Sequence, residues 1–209
     1  MEAQQISAAG SGSIGTERIA AFSDGVIAII ITIMVLELKL PEAAAGGEVW
    51  SGFVAPLAPK LAVYALSFCI VGALWINHHQ LLALVRRVTP QLMWMNLLLL
   101  FFISLIPLAT GFLGDHPLSG RAVAFYAVVM ALGSAVFGML RYHLGRMPEH
   151  DGEHIQFRLS TLMRSFTGTL LYAVAAILAP FSPIAALALL VFVPAMFNIP
   201  ILLHRAPRS

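Results

Sequence analysis

The first long apolar stretch of this chain carries an arginine and an aspartate at its start. In RIAAFSDGVIAIIITIMVLEL (18–38), Arg18 and Asp24 precede a run of Ile, Val, Leu and Ala that is interrupted by a single Thr32. An ionisable side chain at the middle of a membrane span costs roughly 2.5–3.5 kcal/mol, so it normally faces a protein partner or a water-filled cavity. We therefore expect either an ion or proton site, or a structural hydrogen-bond cluster.

Polar side chains that could partner this pair occur in two later stretches. The second apolar stretch ends in WINHHQ (75–80), and the third begins with WMN (94–96). One interpretation is a hydrogen-bond cluster that joins three helices. The other is a proton relay or a pH-sensitive gate, because histidine titrates near neutral pH. The residues leave both interpretations open.

The composition indicates that these polar side chains lie on membrane-spanning helices. Of the 209 residues, 59% are hydrophobic and 11% are charged, whereas soluble domains have roughly 45–50% apolar and about 25% charged residues. A membrane helix needs about 20 mostly apolar residues. The sequence predicts an all-α integral membrane protein with six transmembrane helices, at Arg18–Leu40, Leu57–Leu84, Gln91–Leu113, Arg121–Arg141, Ser160–Phe181 and Pro183–Leu203.

The connections are too short for a soluble domain, so residues 17–205 are predicted to form one transmembrane domain. Residues 1–16, rich in Ser, Gly and Ala, are predicted to be a disordered tail, and 206–209 a C-terminal tail. Pro107 is expected to kink the third span. The only cysteine, Cys69, lies within a span, which predicts neither a disulfide framework nor a cysteine metal site.

The basic residues predict the topology. With a cytoplasmic N-terminus, nine of the twelve Lys and Arg residues face the cytoplasm, and only Lys39, Lys60 and Arg121 face outward. The positive-inside rule then places both termini in the cytoplasm, and we expect the plasma membrane. The scattered basic residues do not predict nucleic-acid binding.

The first helix has a bulky aliphatic stripe. At 100° per residue, Ile33 and Leu36 lie within about 40° of Ile29, Thr32 lies about 60° to one side of Ile29, and Asp24 is about 140° from Ile29. Such a stripe can face lipid, a neighbouring helix or a pore. The chain lacks a TVGYG-like loop and an arginine ladder, which excludes the ordinary carbonyl filter and a voltage sensor. No nucleophile–base pair or cofactor motif is found, so we predict a protein that is not an enzyme.

Arg18-x-x-x-Phe22-Ser23-Asp24, followed by an Ile-rich helix, resembles the signature of the endolysosomal potassium channel family (transmembrane protein 175) and its short bacterial members. The resemblance continues through LWINHHQ (74–80) and MNLLLLFFISLIPLAT (95–110), about half of the chain. It implies a homotetramer in which the first helix of each subunit lines the pore.

The resemblance also implies roles for individual residues. Ile29 corresponds to the constriction, Ile33 and Leu36 to the layers beyond it, and Thr32 to a hydroxyl position associated with potassium preference. The polar network that holds the first helix then comprises Arg18, Phe22, Ser23, Asp24, Trp75, Asn77, His78, His79 and Asn96.

The predicted function is a potassium-permeable, modestly selective cation channel with a hydrophobic constriction, which can gate by dewetting. Its partners are further copies of itself, the lipid bilayer and permeating potassium ions. No cofactor is predicted, and no metal beyond potassium at the Thr32 ring. The alternatives are a proton-coupled secondary transporter or a proton-permeable channel using Asp24 and His78 or His79, and a non-conducting membrane scaffold.

Overall fold

The computed structural model describes residues 2–39, 54–85, 88–145 and 155–203, and within these ranges it contains helices and no strands. The helices are α1 (Glu2–Ile33), α2 (Ala55–Leu82), α3 (Pro90–Ser104), α4 (Ile106–Asp115), α5 (Gly120–Gly145), α6 (Ile155–Leu178) and α7 (Pro183–Leu203), with a 3₁₀ turn (Met34–Glu37) after α1. The side chains of 2–14, 155–162, 164 and 197–203 lie outside the description.

Four described segments are long and apolar enough to cross a membrane: Gly15–Glu37, Ala55–Leu82, Pro90–Asp115 and Gly120–Gly145. Two shorter apolar helical segments follow, at Ser165–Leu178 and Pro183–Met196. They fall on the fifth and sixth predicted spans. The predicted all-α, multi-pass membrane architecture is confirmed.

The boundaries differ most from the predicted ones in two places. Helix α1 begins at Glu2, before the boundary predicted at residue 17. The assignment of 1–16 to a tail stays a prediction, and residues 206–209 lie outside the described ranges. The third predicted span is divided into α3 and α4 around Leu105, just before Pro107 in the first turn of α4, because a proline has no N–H to continue the helical ladder.

The helices form two packed groups. Helix α1 packs against α2 and α3, and α5 packs extensively against α6, which also contacts α7. The two groups meet where α5 packs against α3 and α4. A buried hydroxyl cluster lies at this junction: Ser67 on α2 is 2.9 Å from the Tyr126 hydroxyl of α5 and 2.8 Å from that of Thr110 on α4. It joins α2, α4 and α5 in the half of the bundle away from WINHHQ.

The end of the first span is held against α4. A Cβ on Gly111 would collide with the carboxylate of Glu37, so the absent side chain lets the 3₁₀ turn approach α4. Nearby, Lys60 forms a 2.7 Å ion pair with Asp115, and its ammonium lies 3.4 Å from the carbonyl oxygen of Lys39. These contacts fix the end of the first span opposite Arg18.

Candidate functional site

One face of α1 is buried within the subunit. Ser23, Ile27, Ile30 and Met34 are 5% exposed or less, and their spacing of four, three and four residues places them on a single helical face. This face packs against the neighbouring helices. It orients α1 about its own axis.

The opposite face of α1 is open and carries the predicted pore residues. Ile29 is 57% exposed and Leu36 is 75% exposed, and Thr32 is exposed between them. Thr32 points almost directly away from the buried face, at about 170° from its centre by helical geometry. Ile33, 42% exposed, is turned by about 100° from Thr32. The four residues therefore share an open surface but do not all face the same way.

Ile33 and Ile29 border a groove between α1 and the α3–α4 break. The groove has a volume of about 390 Å³. Its lining is apolar except at Glu37 and Ser104, and consists of Val26, Ile29, Ile30, Ile33, Glu37, Ser104, Pro107 and Leu108. The aliphatic stripe of α1 is thus accessible along most of the half of the helix that lies away from Arg18.

The hydroxyl of Thr32 is oriented by its own helix. Its Oγ1 lies 2.9 Å from the carbonyl oxygen of Ile29 and 3.1 Å from that of Ala28. The single hydroxyl proton is directed toward these carbonyls, so the oxygen lone pairs are available on the open side. Such an oxygen is suited to contact a cation.

Three of the predicted network residues, Ser23, His78 and Asn96, form a buried chain of hydrogen bonds across three helices, called the dry chain below. Asn96 on α3 donates from Nδ2 to the hydroxyl oxygen of Ser23 on α1 at 2.9 Å, and its Oδ1 is 2.8 Å from Nε2 of His78 on α2. The Ser23 hydroxyl donates to the carbonyl oxygen of Ile19 at 2.9 Å. All three side chains are 2% exposed or less, so the chain is shielded from solvent.

The hydrogen bonds of the dry chain all donate in one direction, from His78 toward Ser23. An amide oxygen only accepts, so His78 donates from Nε2, and a neutral ring then has an unprotonated Nδ1. This Nδ1 has no hydrogen-bond partner among the described residues. A second proton on the ring would place an unpaired buried donor beside α5. The hydrogen bonds of these three side chains therefore use a single ring proton of His78, the one on Nε2.

The neighbouring residues form a second, more exposed contact between α1 and α2. Trp75 Nε1 donates to Asp24 Oδ1 at 2.8 Å, and His79 Nδ1 lies 3.6 Å from Asp24 Oδ2. The side chains of Asp24 and His79 are 34% and 57% exposed. The two histidines thus have separate environments. His78 belongs to the dry chain, and His79 faces Asp24 at the surface of the subunit.

Asn77, placed by the sequence in the same network, faces the other way. Its Oδ1 accepts from Arg141 Nη2 of α5 at 3.2 Å. The predicted topology places Arg141 on the cytoplasmic side, and the structure shows its side chain half-buried between α2, α5 and α6. Arg141 follows Phe137 by four residues, which puts both on one helix face. This spacing is the sequence signal that could have identified Arg141 as an inward-facing residue.

Arg18 and Phe22 are placed apart from the other network residues. Both are exposed, Phe22 at 54%, and no hydrogen bond or ion pair is described for Arg18 within the ranges given above. The predicted part of these two residues in the network therefore stays a prediction. Both lie on the open side of α1 with Ile29.

A bundle of apolar helices, a first helix with one open face and the polar contacts of α1 with α2 and α3 at one end together fit an integral membrane protein of the channel class. Comparisons with known proteins agree. The family model described as "Endosomal/lysosomal potassium channel TMEM175" matches residues 18–107. A protein named as a potassium channel from Chryseobacterium sp. (strain P1-3) is 34% identical over 183 residues, 88% of this chain and 92% of that protein.

Two further comparisons extend this result. The mouse protein named endosomal/lysosomal proton channel TMEM175 is 39% identical over 103 residues, which are 46% of this chain and 21% of the mouse protein. The crystal structure of a lysosomal potassium-selective channel TMEM175 homolog from Chamaesiphon minutus matches with a TM-score of 0.77 and 28% identity, covering 89% of this chain and 97% of that one. The chain belongs to the TMEM175 family of ion channels and is not an enzyme.

Proposed function

We propose that this protein is a homotetrameric, potassium-permeable cation channel of modest selectivity, with α1 of each subunit lining the pore. The single observation that carries the proposal is the open face of α1. Ile29, Thr32 and Leu36 lie opposite a face that the subunit itself buries. One helix cannot enclose a pore, so a ring of subunits is required to complete it. The names of the bacterial relatives support potassium as the permeant ion.

In the proposed pore, Ile29 forms the constriction. A ring of aliphatic side chains excludes water when it is narrow, so it can close the passage by dewetting. Leu36 forms a layer toward the other end. Ile33, which is turned toward the groove beside α4, would contribute to the pore wall only at its edge.

Thr32 supplies the proposed ion preference. Its hydroxyl proton is held by backbone carbonyls of α1, so four inward-facing oxygens could replace part of the hydration shell of a potassium ion. Side-chain oxygens at one level provide fewer ligands than stacked carbonyl rings. The selectivity for potassium over sodium should therefore be modest.

The proposed location is the plasma membrane, with both termini in the cytoplasm. The positions of the described basic residues support this orientation: Arg18 and Arg141 lie at the Asn77 end of the bundle, and Lys39 and Lys60 lie at the other end. The other predicted cytoplasmic arginines, Arg86, Arg87, Arg146, Arg158, Arg164, Arg205 and Arg208, lie outside the described side chains. Protease accessibility of tags at both ends in spheroplasts tests the orientation, and tags digested from outside would contradict it.

Ion flux in liposomes tests the main proposal. The purified protein is reconstituted with a potassium gradient, and potassium flux is compared with that in protein-free liposomes, with valinomycin as the positive control. We expect potassium flux that exceeds sodium flux. No flux in sealed vesicles that respond to valinomycin would contradict the channel and favour a non-conducting scaffold. Crosslinking in the same preparation should give a tetramer as the largest species.

A second candidate is a proton-permeable channel or a proton-coupled transporter. The Asp24–His79 contact favours it, because both groups are partly exposed and lie 3.6 Å apart. The mouse relative is named as a proton channel. A pH dye inside the same liposomes distinguishes the candidates: acidification that His79→Gln abolishes while potassium flux persists would favour proton permeation through this pair.

A further inference from the structure

Arg141 is a charged residue that joins three helices inside the bundle. Its Nη1 donates to the Ser165 hydroxyl of α6 at 2.7 Å, and its Nη2 donates to Oδ1 of Asn77 on α2 at 3.2 Å. Its guanidinium also lies over the Phe137 ring, 4.2 Å from the centroid. One side chain of α5 thus connects α2, α5 and α6.

These contacts reach the turn of α2 that holds the buried chain. Asn77 and His78 are adjacent in α2, and the Phe137 ring beneath Arg141 lies 6.4 Å from the His78 ring. His78 in turn is bonded to Asn96, which is bonded to Ser23 on α1. An unbroken series of contacts therefore runs from α6 to α1.

We propose that Arg141 is a positioning residue that holds the α5–α6 pair against this turn of α2 and thereby fixes the orientation of α1. The consequence for conduction rests on the proposed function, in which α1 lines the pore. Arg141 lies outside residues 18–107, the part that the family model matches. The role therefore belongs to the half of the chain with the weaker resemblance.

The chemistry of this position requires an arginine. Its planar guanidinium presents several N–H donors in a fixed fork and can stack on an aromatic ring at the same time. A lysine ammonium carries the same charge, but it has neither a fixed fork to reach two separated acceptors at once nor a planar face to lie over the ring. Arg141→Lys should therefore retain only part of the connection, and Ser165→Ala should remove one of its bonds.

Hydrogen exchange of the intact protein tests the positioning directly. Exchange of the α1 amides between Gly25 and Ile33 is measured in the parent, Arg141→Met and Arg141→Lys. Matched controls are Arg121→Met and Arg121→Lys, because Arg121 is on the same helix, is exposed and lies at the opposite end. Substitutions along coupled networks shift equilibria by about twofold to thirtyfold. We expect roughly tenfold faster exchange in Arg141→Met, a smaller increase in Arg141→Lys and no change in the controls.

Bilayer recording tests the functional consequence. The open-to-closed ratio should change by about threefold to tenfold in Arg141→Met, while unitary conductance and reversal potential stay at the parent values because the pore side chains are intact. A general loss of folding would lower the number of channels instead. Ser165→Ala should shift the open-to-closed ratio in the same direction by a smaller factor.

The two measurements separate the possible failures. Unchanged α1 exchange in folded Arg141→Met overturns the positioning role, whatever the currents show. If Arg141→Met does not fold, α1 exchange is measured in Arg141→Lys and Ser165→Ala, and unchanged exchange in both overturns the positioning role. A parent protein that passes no current would contradict the proposed channel, while the exchange result would still decide whether Arg141 orients α1.

Discussion

The contacts between the start of α1 and α2 differ sharply between adjacent residues. Ser23 and His78 lie in a dry chain with Asn96, whereas the next residue along each helix, Asp24 and His79, forms a contact at the edge of the subunit. The dry contact contains an imidazole, an amide and a hydroxyl, joined in series by two hydrogen bonds. The edge contact contains ionisable groups and can exchange with water. A single turn of two helices thus provides both an anchor and a surface that can respond to its surroundings.

The difference indicates which substitutions should affect folding and which should affect conduction. A buried group that loses its partner keeps the full cost of desolvation, while an exposed group can replace a lost partner with water. Changes in the dry chain should therefore reduce stability. Changes at the edge and on the open face of α1 should alter conduction with a smaller effect on stability.

The largest effect is expected from Asn96→Leu. This change leaves the Nε2–H of His78 buried without an acceptor, which should cost about 1–3 kcal/mol of stability. We expect a lower yield of folded oligomer and a lower midpoint in a thermal unfolding assay. Leu98→Ala, at an exposed position on the same helix, is the control.

A double substitution sharpens this prediction. Replacing both partners by apolar groups of similar shape is far less costly than replacing one, so Asn96→Leu combined with His78→Phe should recover much of the lost stability. If the double variant is as unstable as the sum of the single ones, the His78–Asn96 bond does not account for the effect.

Ile29→Asn should have the next largest effect, and on conduction rather than stability. A polar ring wets a passage that an aliphatic ring keeps dry, so we expect severalfold larger unitary conductance and weaker discrimination between potassium and sodium under bi-ionic conditions. Ile177→Asn on α6, at a position 71% exposed, provides the matched control. Equal behaviour of both variants and the parent would place the α1 stripe against lipid or another helix.

The sequence predicted the dry chain better than it predicted the rest of the site. Apolar stretches of about 20 residues identify spans, and the topology brings WINHHQ and Asn96 to the same end as Ser23. The sequence could not show which histidine is buried, because His78 and His79 differ by only about 100° around α2. Packing against α5 and α3 decides it.

Arg141 and the Ser67 hydroxyl cluster were missed for related reasons. The sequence does not distinguish an arginine near the end of a span whose side chain extends to the membrane interface from one whose side chain turns into the helix bundle. Single Ser, Thr and Tyr residues are common in apolar helices, and only the packing of α2, α4 and α5 brings Ser67 and Tyr126 within 2.9 Å. Only the structure likewise shows that the 3₁₀ turn at Met34–Glu37 lies against α4, where the Glu37 carboxylate is next to Gly111.

Asp24→Asn tests the edge contact and should have a small effect on stability. An asparagine oxygen can still accept from Trp75 Nε1, and the side chain of Asp24 is 34% exposed, so solvent screens the charge that is lost. We expect a change of less than about 1 kcal/mol in unfolding free energy. A loss as large as that of Asn96→Leu would show that the two contacts do not differ as their exposure indicates.

Thr32→Ala should have the smallest effect, and it tests the open face most narrowly. The change removes one hydroxyl from each subunit and leaves the proposed Ile29 constriction in place, so unitary conductance should stay near the parent value. The partial replacement of a hydration shell by one ring of oxygens is worth a fraction of a kcal/mol, which corresponds to about a twofold to threefold fall in the potassium-to-sodium permeability ratio. Thr32→Ser keeps an oxygen that can bond the same backbone carbonyls of α1, and it should retain most of the preference. The reversal potential under bi-ionic potassium and sodium measures both variants. If Thr32→Ala and Thr32→Ser shift it equally, the methyl group rather than the hydroxyl matters at this position, and the preference for potassium must arise elsewhere along α1.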